Sequence, residues 1–506
     1  MRGFFTVGVW TLASRVLGFL RDAMIVAFLG TGPAYQAFIV AFSLPNLFRR
    51  FFAEGAFNMA FVPMFSKKLE GDEGADEFAR DAMSALAGIL IVLTLLAQVF
   101  MPFLVLAMAS GFQGEEQFGL SVTFGRIAFP YILFISLAAL LSGVLNATGR
   151  FAAAAAAPVL LNVLFIGAML AALSAGLDIA LALVWVIPLA GVAQMVLVWI
   201  AAKRAGFTLI PRLPRFTPEL RRLAIIAAPA ALAGGVVQVN LLVGRQVASY
   251  FDSAVGWLYA ADRLYQLPLG VVGIAVGIVL LPELSRRLKA DDGDGAKAAL
   301  SRAGEMSLIL TLPAAVALFV VPAPLVSVLF ERGLFNAADT AATAQAVAIY
   351  GLGLPAFVIQ KILQPLYFAR EDTRRPFYFA LVAMIINAAL ALGLAPVIGW
   401  TAAAIGTTVA GWAMVVLLAY GARNMGDAAS FDDRFRRRIP RIIIASGLMG
   451  IVLWAAMIVG AGAFALPGWR YLALLILVLL GAVSYAISGQ ITGAFRLSEI
   501  RRAVRR

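Results

Sequence analysis

The sequence predicts an all-α polytopic membrane protein with fourteen transmembrane helices, arranged as two six-helix lobes in a parallel pseudo-twofold repeat plus two C-terminal helices. Three observations predict it. Of 506 residues, 62% are hydrophobic and 13% charged, with a mean hydropathy of +0.93, far outside the range of soluble globular domains. Apolar stretches of about 20 residues, the length that crosses a hydrocarbon core, recur along the whole chain. Proline, asparagine and loop signatures of the first half return in the second at a nearly constant offset.

The first span, 3–29, is too long and, with Arg15, Arg21 and Asp22, too charged for a cleavable signal peptide, so it is expected to remain as a helix. The second, 33–63, contains LPNLFRRFFAEGAF at 44–57, with Pro45 followed by Arg49, Arg50 and Glu54. If the chain left the membrane at those arginines, residues 51–65 would be too short to cross back, so a kinked or partly unwound helix is expected. Spans 83–108, 121–146, 155–174 and 180–202 complete a first lobe, 1–202. Residues 203–221 are basic with some apolar side chains, which fits a cytoplasmic amphipathic linker on the membrane surface and equally an ordinary basic loop. Spans 222–249, 256–284, 303–324, 344–368, 376–395 and 399–421 make a second lobe, 222–421. Spans 440–462 and 469–493, with a basic tail, fill 422–506.

The repeat rests on ordered pairs. Pro130 and Asn162 are 32 residues apart, as are Pro355 and Asn387, and each pair flanks a turn bearing Arg150 or Arg375. VPMFSKKLEG at 62–71 resembles LPELSRRLKA at 281–290, each preceded by Leu-Pro, at 44–45 and 267–268. Offsets of 219 to 225 correspond to six spans, which preserves orientation and implies an axis near the membrane normal.

An even number of spans places both termini on one side. The loops of that side hold thirty of the forty basic residues; the opposite loops hold Arg332 and Arg470. This asymmetry puts both termini in the cytoplasm and explains the +13 net charge by topology, without nucleic acid. Cysteine and histidine are absent, which removes disulfides, thiol chemistry, most zinc and copper sites and any imidazole relay. No cofactor or metal is expected.

Arg15, Arg21, Arg49, Arg50 and Arg263 fall inside spans. A guanidinium at the centre of a lone membrane helix costs about 2.5–3.5 kcal/mol even on the lenient insertion scale. Five are better accommodated lining a shared watery cavity, suited to an anionic cargo. In SRVLGFLRD at 14–22, Arg15 and Asp22 share a helical face, and Ser14, Gly18 and Arg21 form the adjoining stripe. Asp22 can pair with either arginine but cannot neutralise both. Arg50 can contact cargo or pair with Glu54 one turn on. In the eighth span Tyr259, Arg263, Gln266, Gly270, Gly273 and Gly277 follow spacings of 4, 3, 4, 3 and 4 along one face. Asp262 is turned about 100° away, placed to orient Arg263 or meet a neighbouring helix. Lys361, followed by Gln364 and Pro365, divides evenly between cavity lining and structural pairing. Arg126 and Arg245 lie near span ends and read as snorkelling side chains.

SRVLGFLRD, LPNLFRRFFAEGAF, FPYILFISLAALLSGVLNATGRF at 129–151 and YAADRLYQLPLGVVGIAVG at 259–277 closely resemble the bacterial MurJ (MviN) lipid II flippases of the MOP exporter superfamily, over most of the chain. The resemblance implies export of lipid II, the undecaprenyl-pyrophosphate-linked peptidoglycan precursor, across the bacterial inner membrane by alternating access, with helices 1, 2, 7 and 8 moving around a cationic cavity. The arginines that matter in the family match Arg15, Arg21, Arg49 and Arg263, with Asp22, Glu54 and Asp262 as supporting acids, and the last two helices extend a groove for the lipid tail. Expected partners are lipid II and the bilayer, with cell-wall synthesis or division machinery as candidate protein partners and a monomer as the expected state. The chemistry agrees, since a pyrophosphate needs clustered donors to replace its hydration, and arginines supply permanently charged planar forks.

One departure concerns energy coupling. Some relatives have a sodium site with a carboxylate in the seventh helix, whereas spans 7, 11 and 12 here lack Asp and Glu except at loop margins, and position 36 is Gln where some relatives have Asp. Membrane potential is the simpler driver, at about 2.3 kcal/mol per charge per 100 mV. The alternatives are a MOP exporter of another polyprenyl-pyrophosphate glycan and a membrane glycosyltransferase or ligase. The enzyme needs paired catalytic acids, yet Glu115, Glu116, Asp178, Asp252, Glu331 and Asp339 are scattered over short loops.

Overall fold

The structure, a computed structural model, describes residues 2–49, 56–71, 74–215, 217–275, 280–466 and 468–495. Among the described residues every regular element is a helix. The chain divides into two compact units, Met1–Gly256 with Arg332–Phe335, and Trp257–Glu331 with Asn336–Arg506.

The first unit contains α1 (Arg2–Leu29), α2 (Pro33–Arg49), α3 (Ala56–Glu70), α4 (Ala75–Ala109), α5 (Glu116–Ala128), α6 (Tyr131–Ala147), α7 (Ala152–Ala175), α8 (Ile179–Arg204) and α9 (Pro218–Ala248). α1 runs along α7, α2 along α5, and α6 and α7 both pack on α8. In the second span α2 ends at Arg49 and α3 begins at Ala56; the expected interruption, with Arg50 and Glu54, lies outside the described residues. Stacked phenylalanines fix the short α3. Phe61 lies 5.6 Å from both Phe65 and Phe78, the latter on α4. Pro130 divides the fourth span into α5 and α6, because proline cannot supply the N–H that a continuous helix needs. α9 meets the end of α4, where Gln246 and Ser249 accept from the backbone N–H groups of Ser110 and Gly111. A Cβ on Gly111 would stand 2.5 Å from the Ser249–Tyr250 backbone, so glycine permits this approach.

The connection after α8 is docked. The Arg212 N–H donates to Ser84 Oγ at 2.8 Å, and its Nε to Asp81 at 2.7 Å. The hydrogen bond to Asp81 raises the Arg212 pKa above its ordinary value. Thr217 then caps α9, with Pro218 in its first turn.

The second unit contains α10 (Ala254–Ala275), α11 (Leu281–Lys289), α12 (Gly293–Val320), α13 (Pro322–Phe330), α14 (Ala337–Phe368), α15 (Arg374–Ile398), α16 (Thr401–Ala422), α17 (Asp433–Val459), α18 (Ala461–Ala465) and α19 (Trp469–Ile491). α12 packs on α14 and α17, α16 on α14 and α15, and α19 on α17. Here Pro355 and Pro365 sit inside a continuous α14, unlike Pro130 at its counterpart. The segment after α16 docks as Arg212 does in the first unit. The Asp432 N–H donates to Ser301 Oγ of α12 at 2.9 Å, and the Asp432 carboxylate caps α17 through the Phe435 N–H. Burial alone would raise the Asp432 pKa, but the Phe435 N–H and Arg302 hold it below the ordinary carboxylate range.

Ten helical stretches among the described residues are long and apolar enough to cross a membrane: α4, α5 with α6, α7, α8, α12, α14, α15, α16, α17 and α19. Large side chains such as Val99 and Phe103 remain more than 60% exposed on α4, as a lipid-facing surface requires. The other predicted spans coincide with α1, with α2 and α3, with α9, and with α10 and α11, which hold Arg15, Arg21, Arg49 and Arg263.

Candidate functional site

The structure distributes the sequence-predicted site residues over both units. In the first, α1 carries Ser14, Arg15, Arg21 and Asp22. Arg21 is 8% exposed and Asp22 6%. The Arg21 guanidinium closes on Asp22 Oδ1 through Nε at 2.9 Å and Nη2 at 2.6 Å. Its Nη1 donates to Asn162 Oδ1 on α7 at 2.9 Å, while Asn162 Nδ2 donates back to the Ser14 carbonyl at 2.9 Å. Phe165 of α7 and Phe42 of α2 place their rings 5.3 Å and 6.0 Å from the same guanidinium. Asp22 therefore serves Arg21, its neighbour in sequence. Arg21 is held by an acid, an amide and two rings, with two of its five N–H donors outside these hydrogen bonds.

Arg15 stands apart. It is exposed, about two turns nearer the N-terminus than the pair, and makes no hydrogen bond or ion pair among the described residues. Arg49 closes α2 half-buried, with Nε donating to Asn46 Oδ1 at 3.2 Å.

In the second unit the site residues lie on α10. The Arg263 guanidinium sits 4.3 Å from the Tyr259 ring centroid and donates to the Tyr259 hydroxyl. Gln266 donates to Asp262. Both pairs are i, i+4, the spacing at which helical side chains meet. The other faces of α10 are anchored within the unit. Trp257 Nε1 donates to Asp339 at 2.8 Å and its ring lies 5.3 Å from Trp400, while Tyr265 is buried against Tyr350 and Phe357 of α14 at 5.0 Å and 5.5 Å. The anchoring leaves Gln266 exposed and Tyr259, Asp262 and Arg263 half-exposed. Lys361 on α14 is exposed and unpaired among the described residues. Gly270 is half-buried, and Gly277 lies outside the described residues. Arg126 exchanges hydrogen bonds with the Gln98 backbone and side chain.

Sequence reasoning noted Asn162 as a repeat marker and missed it as the partner of Arg21. A buried amide on an otherwise apolar helix was the available signal. The phenylalanines on the guanidinium had none. Chemically, each unit offers permanent cations with unsaturated hydrogen-bonding capacity on half-exposed helix faces, an arrangement that accepts anions.

A family profile described as lipid II flippase MurJ matches residues 25–479. The probable lipid II flippase MurJ of Rhizobium tropici is 42% identical over 519 residues, covering 100% of this chain and 97% of that one. Its counterpart in Rhizobium meliloti (strain 1021) is 44% identical, with 100% and 96% covered. A lipid II flippase MurJ of Burkholderia cenocepacia is 35% identical over 464 residues, 90% of each chain. Among solved structures, a lipid II flippase MurJ in an inward closed conformation superposes with a TM-score of 0.80 at 24% identity, over 96% of this chain and 98% of that one. An inward-facing MATE family transporter of the MOP superfamily gives 0.69 at 15% identity, over 82% and 95%. At these identities the structural likeness speaks for the fold.

Proposed function

The chain belongs to the MurJ lipid II flippase family, and we propose that it carries lipid II from the cytoplasmic to the periplasmic leaflet of the bacterial inner membrane. It is a transporter, and no covalent step is needed. In this reading the chain crosses the membrane fourteen times with both termini in the cytoplasm, residues 1–202 and 222–421 form its two lobes, a cationic cavity takes the head group, and α17 and α19 border the polyprenyl tail.

The observation that carries the assignment is Arg15. It is a permanent cation, exposed on an apolar helix, whose nearest acid in sequence is already bound to Arg21. Facing lipid it would cost about 2.5–3.5 kcal/mol or more. Facing water and a pyrophosphate it becomes a binding group. Arg263, stacked on Tyr259, and Arg49 at the end of α2 supply further cations. Arg21 binds through the donors that Asp22 and Asn162 leave over, and Ser14, Asp262, Gln266 and Lys361 support the head group. The sugar and peptide stay in water while the tail stays in lipid, so no polar group is desolvated without a partner.

The test is depletion of the native protein with complementation by Arg15→Ala, Arg21→Ala, Arg49→Ala or Arg263→Ala, reading lipid II exposed at the outer leaflet. Each charge-assisted contact is worth about 1.5–3 kcal/mol, so a roughly 10- to 100-fold loss of transport efficiency is expected for Arg15 and Arg263. Undiminished export by all four variants would remove the assignment.

Transport is driven by membrane potential acting on charged helices or cargo, since each displaced charge gains about 2.3 kcal/mol per 100 mV. Dissipating the potential with an ionophore should slow export strongly. Export at an unchanged rate would eliminate this driver.

A further inference from the structure

The first unit contains a cavity of about 720 Å³ remote in sequence from the arginines of α1. It lies where the turn between α6 and α7 meets the last turns of α8. Leu145, Leu197 and Ile200 give the lining its apolar part, and Arg150 and Arg204 its basic part, with no acid in the lining. Its volume falls in the roughly 300–1,000 Å³ range of small-molecule sites. The local chain builds it. Gly149, at φ +74°, lets the Arg150 N–H return to the Leu145 carbonyl at 2.9 Å and closes α6. Arg150 Nη1 then donates to the Arg204 carbonyl at 3.3 Å, at the end of α8. Both arginines are exposed, and neither forms an ion pair among the described residues.

The surroundings are those of a membrane interface. Phe151 and Ile200 are 37% and 39% exposed beside the arginines, and Lys203 lies 5.6 Å from the Trp199 ring. On the connection that follows, Ile210 and Leu213 are exposed while Trp199 Nε1 holds the Leu209 carbonyl at 3.0 Å. Two guanidiniums without ion pairs among the described residues, lining one cavity with apolar side chains, complement one kind of molecule, a phosphate carrying an acyl chain. We propose that this cavity binds an anionic phospholipid of the adjacent leaflet, with its phosphate between Arg150 and Arg204 and its acyl chain along Leu145, Leu197 and Ile200. A free phosphate would satisfy the arginines and leave the apolar part of the lining unused.

The full chain is reconstituted in phosphatidylcholine nanodiscs containing a photoactivatable phosphatidylglycerol or a photoactivatable phosphatidylcholine, and crosslinked peptides are mapped. Phosphatidylglycerol should label 145–153 and 197–204 in preference to phosphatidylcholine. R150Q/R204Q should reduce that labelling by about fivefold per arginine, the worth of one basic residue at an anionic surface, with labelling of α19 unchanged as the internal control. Ala201→Trp, which fills the cavity with both arginines in place, should reduce it equally. If that variant unfolds, the arginine pair at its exposed positions decides alone. Equal labelling by the two lipids, unchanged labelling in R150Q/R204Q, or displacement of phosphatidylglycerol by excess inorganic phosphate overturns the proposal.

Discussion

Glu305→Ala is expected to lower the thermal unfolding midpoint of the detergent-purified protein more than any single substitution among its arginine partners. Glu305, on α12, is 2% exposed and accepts from Arg302 on its own helix and from Arg434 and Arg438 on α17. Arg302 also reaches Asp432, the cap of α17. Removing this carboxylate takes a shared acceptor from three guanidiniums, of which Arg302 keeps Asp432. Breaking a fully buried pair costs about 3–5 kcal/mol. The arginine side chains here are 33%, 48% and 14% exposed, so water offsets part of that, and about 2–3 kcal/mol is the expected loss. Arg438→Ala should cost less, because two cations remain on the acid. Glu305→Gln separates charge from volume and should fall close to the alanine variant. A wild-type midpoint for Glu305→Ala would mean that α17 is held by its apolar contacts alone.

Glu305 also marks where sequence reasoning stops. The helices were legible because each must satisfy the same local demand, an apolar stretch long enough for a bilayer, and ten among the described residues meet it by length and composition. The repeat predicted matching prolines, but Pro130 breaks its span while Pro355 lies within continuous α14. A proline fixes a lost hydrogen bond, and neighbouring helices decide whether the helix survives that loss. The clamps on α4 and α12 were not visible, because Ser84 with Arg212 and Ser301 with Asp432 are 128 and 131 residues apart. Helical phase placed Asp22 on the face of Arg15. The long Arg21 side chain instead folds back onto it, with Asn162 and Phe165 of α7 closing the arrangement. Phase gives the direction in which a side chain leaves the helix. Where a flexible guanidinium ends depends on the partners that surround it.

That pairing allows one experiment to separate the two roles open to Arg21. Arg21→Leu takes its guanidinium partner from a carboxylate that is 6% exposed, and Asp22→Leu takes its acid from a guanidinium that is 8% exposed. Each single variant should lose about 3–5 kcal/mol and accumulate poorly in the membrane. The double variant removes both charges and replaces them with apolar side chains, an exchange that is often neutral or stabilising. Asn162 keeps its bond to the Ser14 carbonyl, and Phe42 and Phe165 gain an apolar neighbour. The double variant should therefore return to near the wild-type midpoint and membrane level, measured by thermal unfolding and quantitative blotting. Its lipid II export, read at the outer leaflet, should stay roughly 10- to 100-fold below wild type if Arg21 donates to the pyrophosphate. Recovery of export together with folding would make Arg21 a structural cation that joins α1 to α7. Cargo binding would then rest on Arg15, Arg49 and Arg263, and Arg15→Ala in that folded background becomes the deciding variant, because the Arg21–Asp22 pair is no longer present to contribute.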